Sequence, residues 1–441
     1  MKDHPFLVLL RSLDPIARTG RVTKILPTFV EADGPSVARG SLCEIECLDA
    51  NGRVRAPIVA EVASVDRDTI RMVPLETDAS IVSGARVTAR NATVAPVGDA
   101  CLGRAVDALG RPIDDHGPIR SDARAAIAGE VTAPLSRTSS ASVLETGVRA
   151  IDGLLTLGQG QRIGLFAASG VGKTTLVNQL ANQVQADRCV ICLVGERGRE
   201  VEALWSRELD SGARRRTTLV AATSDETAAM RVRAATYSLA LAEHWRAQGH
   251  NVLLLLDSVT RLAMAMREIG LAAGEPPTVR AYTPSVFSAI PKLIEQCGAL
   301  KTGGSITAIM TVLSETDDVD DPISEMMKSL LDGHIILSRS LAEQGHFPAI
   351  DVPRSISRLA SRLTNDAHGK AAERAVALLS TYEASRTLIE TGIYVKGASP
   401  EIDRALELRP KLLEFLKQRP SDQTPFNDAR EALVRITGKA A

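Results

Sequence analysis

The stretch LFAASGVGKTTL, Leu165–Leu176, decides the fold of this chain. An apolar run, RIGLFA, passes into a loop of small residues, ASGVG, and Lys173 opens a helical pattern. Strand, loop and helix in that order are the context a phosphate-binding loop demands. Gly170 and Gly172 permit backbone angles that other residues resist, so N–H groups and the helix N-terminus can face bound phosphate. The expected nucleotide-binding residues are Ala168, Ser169, Gly170, Val171, Gly172, Lys173, Thr174 and Thr175. Lys173 would reach the β and γ phosphates of ATP, and the Thr174 hydroxyl would bind Mg²⁺. The strict pattern places glycine six residues before the lysine, where this chain has Ala167, followed by Ala168. From the loop alone, a working site, a decayed one and a chance glycine-rich turn all remain readings.

Working outward, apolar strands alternate with helical patterns from about residue 150 to 345. RIGLFA, RCVICLVG, RTTLVAAT, NVLLLLDS and SITAIMTVL read as strands, and helices begin near Lys173, Arg199, Thr227, Pro284 and Pro322. Near-continuous apolar strands separated by helices predict a parallel sheet covered on both faces, an α/β fold. VLLLLDS ends in Asp257, placed to hold Mg²⁺ beside Thr174. VGERGRE ends another strand with Glu196 and Arg197. Ligands bind at the C-terminal tips of open parallel sheets, so Glu196 is a candidate to polarise the attacking water and Arg197 a candidate γ-phosphate contact. The same two residues suit a solvated charge cluster opening a helix equally well. Arg358, in SISR, is a candidate arginine finger, but its spacing alone gives no more than a surface arginine.

Residues 17 to about 92 carry short β-branched stretches, GRVTKIL, LCEIECL, APIVAEVASV and TIRMVPL, which predict a small barrel or sandwich. Val94–Ile119 is dense in Gly and Pro and reads as a linker into the next domain. After about 365 the pattern is helical, with apolar residues at three-to-four spacing. The expected boundaries are 1–92, 93–365 and 366–441.

Composition narrows the function classes. The 441 residues are 44% hydrophobic and 24% charged, with a net charge of −1, which exerts no global pull toward nucleic acid or anionic membrane. Aromatics are 3% of the chain, and Phe29 is the one aromatic between residues 17 and 92, too few for a single-strand stacking platform. A hexameric nucleic-acid translocase is therefore the weaker alternative. Six dispersed cysteines fit a reducing compartment. CVIC, Cys189–Cys192, sits in a strand pattern where positions i and i+3 face opposite sides, so a shared metal is not expected. No signal peptide or membrane span is visible. FLVLL, near the N-terminus, suits either a short docking segment or packing on its own domain.

GERGRE, VLLLLDSVTRLAMAMREIGLAAGEPP, YTPSVFSAIPKLIEQCG, GSITAIMTVLSETDD, LDGHIILSR and HFPAIDVPRSISR form an ordered set. Together they resemble the flagellar and type III secretion export ATPases, relatives of the catalytic β subunit of the rotary ATP synthase. The resemblance runs from about Gly20 to Ile393 and is densest from Leu154 to Arg358. It implies a RecA-like P-loop core, an N-terminal β-barrel and a C-terminal helical domain. Relatives commonly carry Ala at the first loop position, so Ala167 fits; Ala168, where a second glycine is usual, departs. The resemblance implies Lys173 as phosphate lysine, Thr174 and Asp257 as the Mg²⁺ residues, and Glu196 as catalytic glutamate. A glutamate there separates hydrolysing subunits from the non-catalytic α subunits of the synthase, and so weighs against the other alternative, a non-hydrolysing ring subunit. It further implies Arg358 as a finger acting across a subunit boundary and Phe347 as the ring stacked on adenine. The implied setting is a homohexamer at the cytoplasmic face of the inner membrane, associated peripherally through the export apparatus. The implied partners are export-gate proteins, a stator-like regulator, a coiled-coil stalk protein and chaperone–cargo complexes, with no nucleic acid. The expected lean is slightly toward a flagellar system, with the ETDDVDDPISEMMKSLLDGH block departing from the forms of either.

Overall fold

The computed structural model describes residues 17–48, 53–76, 80–90, 94–127, 132–138, 142–314 and 321–438. FLVLL and the segment 315–320 within the ETDD block lie outside them.

The N-terminal strands turn one face inward, most plainly Leu42–Leu48, where buried positions alternate with more exposed ones. They are β1 (Thr19–Ile25), β2 (Val30–Ala32), β3 (Leu42–Leu48), β4 (Val54–Val65), β5 (Ile70–Pro74) and β6 (Arg86–Ala89). All pairings are antiparallel, and the order β1-β2-β5-β4-β3-β6 closes a barrel. Closure leaves no free edge. Val22, Ala32, Cys43, Ile45, Ile58, Val62, Met72 and Val87 fill its interior.

The stretch expected to be a linker is instead part of the folded core. Arg104–Val106 forms a strand, β7, which pairs in parallel with a strand of the central sheet. Pro96 accepts a hydrogen bond from the buried Tyr237 hydroxyl at 2.7 Å, and Asp99 accepts one from the Trp245 indole at 3.0 Å. Its Gly and Pro residues shape tight turns, and tertiary contacts hold them in place.

The central sheet continues with β8 (Arg162–Ala167), β9 (Arg188–Val194), β10 (Thr217–Ala222), β11 (Asn251–Asp257), β12 (Ser305–Leu313), β13 (Gly333–Ile336) and β14 (Ile356–Ser357). Along the path β14-β13-β8-β12-β11-β9-β10-β7 every pairing is parallel except that of the edge strand β14, and the short strands Gly298–Leu300 and Arg137–Thr138 extend the sheet antiparallel from β12. Both faces are buried, as the apolar runs require. One apolar cluster holds Val190, Cys192, Leu254, Leu256 and Met310; the other holds Cys189, Ile191, Leu253, Leu255 and Ile309. Cys189 and Cys192 thus lie on opposite faces, and both thiols are free and buried.

The helices include α1 (Lys173–Gln183), α2 (Gly198–Ala203), α3 (Ala228–Ala247), α4 (Val259–Ala272), α5 (Pro284–Gln296) and α6 (Pro322–Leu330). Side-chain caps start several: Thr227 accepts from Met230 N–H, Ser258 from Arg261 N–H and Asp321 from Ser324 N–H. The C-terminal helices are α7 (Asp366–Glu390), α8 (Pro400–Leu416) and α9 (Phe426–Thr437). They bury Leu412, Phe415 and Leu433 in the cluster that also holds Ile151 and Leu154. Among the described residues, no helix is long and apolar enough to cross a membrane.

Candidate nucleotide site

Three sheet strands end where the chemistry gathers. β8 ends at Ala167, directly before the phosphate loop; β9 ends one residue before Gly195 and Glu196; β11 ends on Asp257. Parallel strands in register bring these tips to one edge of the sheet. In the loop, Gly170 has φ +80° and Gly172 φ +95°, both left-handed, and Gly172 directly precedes α1. Ala167 and Ala168 are not among the positive-φ residues. A methyl group at Ala168 therefore meets no backbone penalty, and the departure from glycine is conformationally harmless.

An open cleft of about 480 Å³ lies over the loop. It is lined by Ala168, Ser169, Gly170, Gly172, Lys173, Thr174 and Thr175 on one side and by Glu196, Arg197, Glu200, Arg261 and Leu313 on the other. Of the expected loop residues, Val171 alone turns its side chain into the core, at 2% exposure, so only its backbone is available to a phosphate.

At the floor, Lys173 Nζ donates to Asp257 Oδ1 and stands 3.6 Å from Glu196 Oε1. Thr311 Oγ1, at the end of β12, donates to the same Asp257 oxygen at 2.6 Å. Arg261 Nη2 lies 3.4 Å from Glu196 Oε2, and its Nη1 donates to the Gly195 carbonyl. Glu196 and Asp257 are both buried. Burial, and then the nearby Asp257 charge, push the Glu196 carboxyl up to about 7. Lys173 and Arg261 pull it the other way without prevailing. A carboxylate poised near neutral pH beside a phosphate loop suits general-base work.

The donor set also fits a hard cation. The exposed Thr174 hydroxyl and the Asp257 carboxylate offer only oxygen. Asp257 Oδ2 accepts no hydrogen bond from the described residues, while Oδ1 already neighbours the positive charge of Lys173.

Two expected residues stand apart. A methyl group on Gly172 would lie 3.6 Å from Phe347 Cδ1, so this half-exposed ring borders the back of the loop, outside the cleft lining. Gln418 N–H donates to the Phe347 carbonyl at 2.9 Å, tying this turn to the C-terminal region. Arg358 lies at the far end of the sheet. Its N–H donates to the Asp332 carbonyl, whose own N–H donates to the Arg162 carbonyl at the start of β8. Six residues of strand, about 17 Å, separate that end from the loop. Arg358 therefore does not face the cleft of its own chain.

Arg261 and Thr311 were not marked by sequence reasoning. Arg261 carries a weak signal, four residues beyond Asp257 on a capped helix. Thr311 carries only its hydroxyl in an otherwise apolar strand tip.

The nucleotide-binding-domain profile of the ATP synthase alpha/beta family matches residues 147–357, and that of the T3SS EscN ATPase C-terminal domain matches residues 364–435. The flagellum-specific ATP synthase of Bacillus subtilis is 42% identical over 441 residues, 99% of either chain. The chain belongs to the flagellar and type III secretion ATPase family. The type 3 secretion system ATPase of Xanthomonas euvesicatoria is 41% identical over 96% of this chain and 95% of its own. The assembled ATPase EscN of enteropathogenic E. coli superposes with a TM-score of 0.88 at 39% identity, over 95% of this chain and 100% of that one. EscN in complex with its central stalk EscO gives 0.85 at 38% identity, with the same coverage. This export ATPase binds and hydrolyses ATP, and its fold class is the expected one.

Proposed function

We propose that the chain is the Mg²⁺-dependent ATPase of a flagellar or type III protein-export apparatus, acting as a homohexamer at the cytoplasmic face of the inner membrane. The convergence of Lys173, Glu196 and Asp257 beneath the phosphate loop carries the reading. In the resting arrangement Lys173 stands between two buried carboxylates, paired with Asp257 and close to Glu196. ATP phosphates offer it a stronger partner, so substrate binding transfers Lys173 from Asp257 to the β and γ phosphates, with loop N–H groups and Arg197 orienting them. Its departure strips positive charge from Glu196, which then takes a proton from the attacking water. Thr174 and Asp257 would hold Mg²⁺, which supplies neutralisation of phosphate charge when bound. Phe347, beside the loop, is assigned to the adenine.

The position of Arg358 supports a shared site. An arginine at the opposite end of the sheet serves a nucleotide only on a neighbouring copy. The relatives named for assembly and for a stalk complex support a ring and a stalk partner here; gate proteins, a stator-like regulator and chaperone–cargo complexes complete the proposed setting. Flagellar and secretion relatives are about equally similar, so the system type rests at that pair.

ATPase rate per subunit should rise with protein concentration in parallel with particle mass by light scattering. Arg358→Ala should remove that rise while ATP still binds. A concentration-independent rate from a monomeric particle would overturn the shared-site reading.

A further inference from the structure

We propose that Thr311 is a positioning residue for Asp257, fixing the rotation of its carboxylate once Lys173 has moved to the phosphates. The proposal rests on the assignment of Asp257 to the metal. β12 lies between the loop strand β8 and the Asp257 strand β11. The register Leu256↔Met310 makes Thr311 the next neighbour of Asp257, with both side chains on the face that carries Leu255 and Ile309. Thr311 is 1% exposed, and its hydroxyl donates to Asp257 Oδ1 at 2.6 Å.

Oδ1 has two donors in this arrangement, Lys173 and Thr311, and Oδ2 has none from the described residues. The terminal torsion of an aspartate is broad and nearly two-fold, so an unrestrained carboxylate turns easily. When Lys173 leaves, Thr311 is the donor that remains on Oδ1. By holding that oxygen it keeps Oδ2 as the one free for the cation. The strand tip thereby prepares the carboxylate before the cation arrives, which lowers the ordering cost of binding. A hydrogen bond from a buried hydroxyl to a charged acceptor is strong enough for its loss to register in metal affinity.

The test is calorimetric titration of the full chain with a non-hydrolysable ATP analogue across a Mg²⁺ series. Thr311→Val keeps the side-chain shape and removes the hydroxyl. It should shift the Mg²⁺ concentration giving half of the affinity gain about tenfold upward, while metal-free affinity stays within about twofold. Thr311→Ser, which restores the donor, should return the wild-type midpoint. Thr311→Ala serves as a second hydroxyl-free variant should the valine protein fail to fold, with the same upward shift expected. A folded valine or alanine variant with the wild-type Mg²⁺ midpoint would overturn the proposal and leave the metal assignment standing. A wild-type protein whose analogue affinity ignores Mg²⁺ would overturn the metal assignment itself, and Thr311 with it.

Discussion

At the scale of single residues, Glu196 is the most informative group, because its environment works against its charge. Burial and the Asp257 carboxylate outweigh two nearby cations and hold its pKa about 7, above the ordinary 4.5. A base must be deprotonated to act, so kcat/KM should climb with pH through about 7 and level off above it. Glu196→Gln should keep ATP binding and abolish turnover at every pH. A full rate in that variant would remove Glu196 from the chemistry. The same shift has a stability consequence of opposite sign. A raised folded-state pKa contributes stability that is fully present below pH 4.5 and lost as pH rises through 7. Nucleotide-free Glu196→Gln should therefore resist urea better than wild type at pH 8, by on the order of 1–3 kcal/mol, and converge on it only as the pH falls below the unfolded value of 4.5. Equal unfolding midpoints at pH 8 would show that the carboxylate is not disfavoured by its surroundings.

At the scale of elements, the loop makes opposite demands at two neighbouring places. Gly172 is left-handed at φ +95°, and a side chain there is strained whatever the space. Gly172→Ala should weaken ATP binding at least about tenfold, since the loop must distort to relieve roughly 1–2 kcal/mol of backbone strain. Ala168 has no such backbone, and Ala168→Gly should leave affinity within about twofold. A large gain on restoring that glycine would mean the methyl group itself obstructs the phosphates. Both outcomes are read by titration with ATP analogue. These elements also show what was legible in the sequence. The strands ending at Ala167, Val194 and Asp257 were visible because each is an apolar run stopped by a small or charged residue. That pattern placed Lys173, Glu196 and Asp257 correctly at one edge. The short barrel strands Val30–Ala32 and Arg86–Ala89 were not visible, since three or four residues show too little alternation to distinguish strand from loop. Val94–Ile119 was misread for a related reason. Its composition signals turns, whereas its place is set by Tyr237, Trp245 and a distant strand. Arg261 and Thr311 escaped because their roles depend on register between separate elements, which local sequence does not carry.

At the scale of the whole molecule, one chain holds both a phosphate loop and an arginine that cannot reach it. The loop is at the C-terminal tips of the parallel strands, and Arg358 follows the antiparallel edge strand to their other end. The half-exposed Ile356 beside it and the exposed guanidinium leave this edge facing outward. If Arg358 completes a neighbour's site, two inactive variants should repair one another. Lys173→Ala has no functional loop but carries an intact finger; Arg358→Ala has an intact loop and no finger. Where a Lys173→Ala subunit presents its arginine to an Arg358→Ala subunit, every group is present. Random mixing in equal amounts should place such pairs at roughly a quarter of interfaces, with a matching fraction of wild-type ATPase returning. Separate rings of each variant, mixed without exchange, should stay inactive. A mixture with proven subunit exchange and no recovered rate would show that Arg358 acts within its own chain or only on assembly. The sheet geometry argues against the first, and the mass of an Arg358→Ala particle decides the second.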